Sequence, residues 1–166
     1  ISIYNTKNLK YNTRAVLPYS HALRRFPAHI QQLEMESNGK YVNSEGEKIN
    51  ITGEVIIGEP GTNGQHSFYQ LLHQGTTVVP CEFIGFCKQK NNYKLDDNIV
   101  SNHDELMCNL FAQADALAFG KSRDELERES CLEELIPHKI FEGNRPSVTL
   151  LFKELEPWSI GFLLAI

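Results

Sequence analysis

Residues 54–66 read EVIIGEPGTNGQH, and this stretch decides the fold class. It opens with a short apolar run, Glu54 to Gly58, that is typical of a buried strand. A Gly/Pro loop follows, and it leads into a helix that we expect to run from about Asn63 to His73, closed by Gly75. A strand that passes through a loop into a helix is the repeating step of folds built on a parallel sheet. The stretch therefore predicts an α/β domain.

The same alternation continues on both sides of this stretch. Apolar runs predict further strands at residues 15–18, 76–86, 140–141 and 148–152. Apolar spacings of three and four predict further helices around residues 23–33 and 106–118. A short helix is expected after Ser122, and a final helix from about Glu156-Pro157 onward. Pro27 either kinks the first of these or starts a second helix, and Asn38-Gly39 is expected to end the segment as a left-handed cap. Ser122 and Glu125 have the spacing of a capping box.

Composition excludes several classes of protein. The chain has 166 residues, of which 41% are apolar and 22% charged, which fits one globular domain and excludes a disordered or collagen-like chain. No apolar run is long enough to predict a membrane span. The net charge of −5 argues against a nucleic-acid-binding protein, which would need a basic surface. The polar segments at residues 5–12 and 88–97 are expected to be exposed loops.

Four cysteines, Cys81, Cys87, Cys108 and Cys131, are present without a Cys-x-x-Cys pair. We interpret them as free buried thiols in a reducing cytosol, with a zinc site or a disulfide as the alternatives.

The loop at residues 58–66 lies where ligands bind in open parallel sheets, beyond the carboxyl end of a strand. It matches neither a P-loop nor Gly-x-Gly-x-x-Gly, so its glycines fit either a tight turn or a ligand contact. We expect His66 in the first turn of the following helix, where the positive end of the helix dipole favours a neutral imidazole. Such a histidine could exchange a proton near pH 7, and the alternative is a structural histidine.

Residues 32–40, QLEMESNGK, form a second candidate site. Gln32 and Glu36 share a helix face that turns away from the apolar stripe. Glu36 is expected in the last helical turn, where the negative end of the dipole disfavours its ionised form. A general base that works near neutral pH needs this kind of setting. The alternative is a solvated pair at a frayed helix end.

Three motifs, taken together, resemble the glucose-6-phosphate isomerase family: MESNGK at residues 35–40, GEPGTNGQHSFYQLLHQGT at 58–76 and FEGNRP at 141–146. The resemblance covers nearly the whole chain from about Ala15, and residues 88–97 depart from it most. It implies a three-layer αβα sandwich with a mainly parallel sheet. Residues 15–166 would be the second of the family's two sugar-isomerase (SIS) domains, truncated within its last helix, after a polar segment at residues 1–14.

The resemblance also implies a function and its residues. The family interconverts glucose 6-phosphate and fructose 6-phosphate through a cis-enediol, in the cytoplasm, as a homodimer, without metal or organic cofactor. Glu36 would move the proton between C1 and C2, and Gln32 would contact the sugar-phosphate substrate. His66 would assist ring opening in the neighbouring subunit's site.

Parts of the family's site have no counterpart in these residues. They are the Ser/Thr-rich phosphate loop, the arginine of a Gly-Gly-Arg motif and a lysine near the C-terminus, so we expect the 166 residues alone to be inactive. Arg145 matches a family motif, and we interpret it as a structural loop contact. The alternative function is a non-catalytic SIS module that binds a sugar phosphate, against which the carboxylate of Glu36 argues. Nothing in these residues supports or excludes a secreted signalling role.

Overall fold

The computed structural model describes residues 2–50, 52–89 and 99–166. Its strands are β1 (Thr13–Pro18), β2 (Val55–Gly58), β3 (Cys81–Lys88) and β4 (Ser147–Glu154). Its α-helices are α1 (Ser2–Lys7), α2 (Phe26–Gln31), α3 (Gly61–Gln65), α4 (Tyr69–Gln74), α5 (Asn102–Phe119), α6 (Arg123–Arg128), α7 (Ile136–Lys139) and α8 (Pro157–Ala165). A π-helical turn, Gln32–Glu36, continues α2, and short 3₁₀ turns lie at His21–Leu23 and Glu133–Leu135.

The four strands form one sheet in the order β2-β1-β3-β4. Every neighbouring pair of strands is parallel. In the register of the central strand β1, Ala15 lies opposite Ile57 of β2 on one side and Cys81 of β3 on the other. The carboxyl ends of all four strands therefore meet at one edge of the sheet, as the sequence predicts.

Helices cover both faces of the sheet. Successive β1 residues alternate between two buried clusters, Ala15 and Leu17 in one and Val16 in the other. The first cluster includes residues of α4 and α5, such as Tyr69, Leu72, Leu110 and Leu117. The second includes Leu163 of α8, with Phe26 and Ile30 of α2 packed against it. The predicted α/β fold with helix, sheet and helix layers is confirmed.

The capping signals around α5 and α6 are confirmed. Helix α5 ends at Gly120, which has a φ of 71°. The capping box joins Ser122 and Glu125 at the start of α6, and the Ser122 hydrogen bonds lower the pKa of Glu125. Pro27 lies in the first turn of α2, so it starts a helix and does not kink one.

Several boundaries differ from the predictions. The helix expected from Asn63 to His73 is two short helices, α3 and α4, and β3 begins only at Cys81. The pair at residues 140–141 makes a single bridge, between Lys121 and Phe141, and not a strand. Gly39 does not have positive φ, so it is not a left-handed cap. Glycine is needed there because a Cβ would collide with the Met35 carbonyl group.

The segment at residues 5–12, expected to be an exposed loop, is partly a buried helix. Helix α1 covers its first residues, and Asn5 and Thr6 are buried. Thr6 Oγ1 donates to the Ser2 carbonyl oxygen at 3.0 Å, which satisfies the hydroxyl inside the helix and lets it be buried. Most of the other expected loop, residues 88–97, lies outside the described residues.

Candidate active site

Gln32 and Glu36 lie together on the π-helical turn that follows α2. Both side chains are exposed. The Glu36 carboxylate accepts a hydrogen bond from Ser37 Oγ at 3.0 Å, and Lys40 Nζ donates to the Glu36 carbonyl oxygen at 3.2 Å. Wide turns of this kind occur often at functional sites, and this one presents a carboxylate and an amide to solvent on a short segment.

Helix α2 and its π-helical turn run antiparallel to β2. Pro27, at the start of α2, packs against Gly58 at the carboxyl end of β2. Beyond the π-helical turn, the Asn38 carbonyl oxygen accepts a hydrogen bond of 3.4 Å from the Gly53 backbone, which precedes β2. Glu36 therefore lies at the amino-terminal edge of the sheet.

His66 lies at the other end of β2, after the carboxyl-terminal edge. Its place within the helix differs from the expectation, because His66 is the C-cap of α3 and not part of the first turn of a longer helix. Its backbone N–H donates to the Asn63 carbonyl oxygen at 3.1 Å, and its side chain is exposed. The neighbouring helix end therefore presents carbonyl groups to His66, and the dipole argument for a neutral imidazole does not hold.

The predicted site residues thus form two separate groups in this chain. Gln32 and Glu36 share one turn, whereas His66 is separated from them by the length of β2, about 10 Å at the usual rise per residue. In the part of the chain that the structure describes, no side-chain hydrogen bond or ion pair joins the three residues. In this chain Glu36 and His66 therefore lie at opposite edges of the sheet.

Two buried tyrosines lie beneath the loop that carries His66. The hydroxyl groups of Tyr19 and Tyr69 are 3.3 Å apart. Burial raises the pKa of both phenols, so both stay protonated at neutral pH. Cys81 lies in the same cluster, and burial raises the pKa of its thiol to about 12.

A cluster of charges that the sequence does not predict lies at the amino-terminal edge of the sheet. Arg14 Nε lies 2.9 Å from Glu54 Oε2, and Arg14 Nη1 donates to Glu82 Oε2 at 2.9 Å. The Glu54 side chain is only 1% exposed. The three residues are far apart in sequence, and only the register of the parallel strands brings them together.

Arg14 and Glu82 border a groove of about 540 Å³ between the sheet, α2 and α8. Its apolar wall includes Phe26, Ile30, Leu33 and Leu163. Leu33, which the sequence placed on the buried stripe, is 46% exposed because it opens onto this groove. Gln32, Glu36 and His66 do not line it.

Arg145 makes the structural contact expected of it. Its Nη2 donates to the Gly75 carbonyl oxygen at 2.8 Å and so ties the segment before β4 to the end of α4.

Among the described residues, no group of three or more His, Cys, Asp or Glu side chains is arranged to hold a metal ion. All four cysteines are free thiols. Only Cys81 is buried, whereas Cys131 is partly buried and Cys87 and Cys108 are exposed, so the expectation of burial holds for Cys81 alone. No helix in the described ranges has the length and apolarity that a bilayer crossing requires.

Residues 1–166 match the sequence profile of the family described as phosphoglucose isomerase. The chain belongs to the phosphoglucose isomerase family. It is 56% identical to the cytosolic glucose-6-phosphate isomerase of Arabidopsis thaliana and 57% identical to cytosolic form A of Oryza sativa subsp. japonica. Both alignments cover all of this chain but only 30% and 29% of the relatives, respectively.

Solved structures agree with this membership. A glucose-6-phosphate isomerase from Chlamydia trachomatis superposes with a TM-score of 0.82 at 43% identity, covering 98% of this chain and 30% of that one. A hypothetical protein from Thermus thermophilus superposes with a TM-score of 0.67 at 15% identity, covering 98% of this chain and 35% of that one. The second likeness concerns the fold alone. Phosphoglucose isomerase relatives are thus about three times as long as this chain.

Proposed function

We propose that this chain is part of a cytosolic glucose-6-phosphate isomerase, which interconverts glucose 6-phosphate and fructose 6-phosphate. The observation that carries the proposal is the identity of 56% over the whole chain to a relative of that name. The relatives' names include the word cytosolic, which supports a cytoplasmic location. Residues 15–166 would form the second SIS domain, and the groups that hold the phosphate would lie in the part of the enzyme outside these residues.

Glu36 is the proposed catalytic base. Its carboxylate would remove the proton from C2 of the open-chain aldose, leaving a cis-enediolate that becomes the cis-enediol when O1 is protonated. Return of the proton from Glu36 to C1, with loss of the proton from O2, would give the ketose. An exposed carboxylate on a wide helical turn can reach a substrate that arrives from outside this chain. Gln32, on the same turn, would contact the sugar. The reaction is an internal proton transfer that a carboxylate can carry, so we propose no metal ion or organic cofactor.

His66 would assist ring opening in the active site of the neighbouring subunit of a homodimer. The position of His66 supports this proposal, because it lies at the sheet edge opposite Glu36. A single chain would have to fold back across the sheet to use both residues on one sugar, whereas a two-fold dimer can bring the Glu36 edge of one subunit to the His66 edge of the other.

The decisive test of Glu36 is the Glu36→Gln variant of the full-length enzyme, a polypeptide of the relatives' length that contains these residues. The amide keeps the size of the side chain but cannot accept the C2 proton, so kcat should fall by at least about 100-fold. Sugar-phosphate affinity, measured by calorimetry, should stay nearly unchanged.

Glu45→Gln, an exposed carboxylate on the following loop, is the matched control and should retain full kcat. An equal loss of binding and kcat in Glu36→Gln would contradict the proposal and point to a structural role. An unmodified full-length protein that binds sugar phosphates without turnover would instead favour the non-catalytic module.

A further inference from the structure

Helix α3, which ends at His66, rests on the ring of Tyr19. Tyr19 is 1% exposed and follows the carboxyl end of β1. The ring lies so close to Gly61 that no Cβ would fit there. Gln65 Nε2 also donates to the Tyr19 hydroxyl, in a long hydrogen bond of 3.4 Å. Tyr19 thus contacts both the first and the last residue of α3.

Helix α4, which begins three residues after His66, is tied to the same tyrosine. Its first residue, Tyr69, is 4% exposed and lies with its hydroxyl 3.3 Å from that of Tyr19. The Tyr69 ring in turn packs against α3, where a Cβ on Gly64 would lie 2.9 Å from Tyr69 Cε1. The spacing of Gly61 and Gly64 therefore gives α3 a glycine face that fits two tyrosine rings.

Tyr19 itself is fixed to the sheet. Its backbone N–H donates to the Ile84 carbonyl oxygen of β3 at 2.7 Å. Its ring centroid lies 6.1 Å from that of Phe83 on the same strand. Tyr19 therefore connects both α3 and α4 to the sheet.

We propose that Tyr19 is a positioning residue for His66: it fixes the angle between α3 and α4 and so directs the imidazole between them. In the described residues the exposed His66 side chain makes no hydrogen bond of its own, so the two helix ends set its direction. This proposal rests on the proposed role of His66 in ring opening.

The test uses Tyr19→Phe in the full-length enzyme, which keeps the ring and removes the hydroxyl that joins the two helices. A misdirected His66 should slow ring opening, so kcat for glucose 6-phosphate should fall about 10-fold. An open-chain six-carbon sugar-acid phosphate needs no ring opening, and its inhibition constant should change by no more than about twofold.

A double variant separates positioning from general destabilisation. If Tyr19 acts through His66, Tyr19→Phe should cause no further loss of kcat in the His66→Ala background, because coupled residues are not additive. Tyr4→Phe, which removes the same atom from an exposed tyrosine, is the matched control and should leave kcat unchanged. If Tyr19→Phe does not fold, Gln65→Met can replace it. This variant removes the hydrogen bond to the Tyr19 hydroxyl at a partly exposed position, and it should change kcat in the same way, with and without His66.

Two results would overturn the proposal, and they differ in whether the proposed role of His66 survives. An equal loss of kcat from Tyr19→Phe with and without His66 would show that Tyr19 does not act through His66, while the proposed role of His66 would stand. Normal ring-sugar turnover in His66→Ala would remove the role of His66, and the positioning role of Tyr19 with it.

Discussion

Arg14 is the residue on which the amino-terminal edge of the sheet depends. The Glu54 carboxylate beside it is almost completely buried, and an ionised carboxylate is costly to bury without a partner. The Arg14 side chain is 24% exposed, so it can reach from solvent to Glu54 and Glu82 at once. Arg14 is thus the charged partner of the buried Glu54 carboxylate, and neither glutamate belongs to the proposed site.

Replacing Arg14 by Met should lower the free energy of unfolding by about 3 kcal/mol, because Glu54 is left buried without its partner. Adding Glu54→Gln to the Arg14→Met variant should restore part of the lost free energy of unfolding. Urea unfolding of the full-length enzyme measures both changes.

Arg123→Met is the matched control. It removes the exposed ion pairs with Glu127 and Glu133 and should have little effect on the free energy of unfolding. A loss in Arg14→Met no larger than in Arg123→Met would show that the buried pair does not matter.

At the scale of the element, prediction from sequence succeeds where the signal is local. Helix α5 is predicted well because its end is encoded by Gly120, and the start of α6 because Ser122 and Glu125 are only three residues apart on the chain. The break between α3 and α4 is missed because the contact between α3 and Tyr19, which follows a distant strand, is not a local signal. The π-helical turn at Gln32–Glu36 is missed too, since a spacing of four residues fits an α-helix equally well.

Gly120 offers a test of how strictly a helix end is encoded. Its φ of 71° and ψ of −159° lie in a region that is almost restricted to glycine. A Cβ there would also lie 2.6 Å from the Glu142 carbonyl carbon. We expect Gly120→Ala to lower the free energy of unfolding by about 3 kcal/mol, from strain and crowding together.

Gly46 is the matched control, because it has a φ of 80° but nothing within 4 Å of an added Cβ. Gly46→Ala should cost about 1 kcal/mol, from the backbone conformation alone. Thermal unfolding of the two variants gives the comparison. Equal losses would mean that contact with the segment around Glu142 adds nothing to the end of α5.

At the scale of the molecule, the parallel sheet decides which predicted residues can act together. The resemblance implies that Glu36 and His66 serve sites in different subunits, but the sequence alone does not show that β2 separates the two residues within one chain. The separation follows from the antiparallel packing of α2 on β2, which depends on contacts such as that between Pro27 and Gly58. Sequence identifies these candidate residues, and the fold shows that they lie at opposite edges of the sheet.

Subunit mixing tests this arrangement directly. Full-length Glu36→Gln and His66→Ala homodimers should each be nearly inactive on the ring sugar, because every site lacks one of the two groups. After the two proteins are unfolded and refolded together, half of the dimers are mixed, and each mixed dimer contains one site with both groups. Activity should therefore recover to about a quarter of that of the unmodified enzyme. Refolding each variant alone is the control, and a mixture no more active than the two controls would show that Glu36 and His66 serve a site within one subunit.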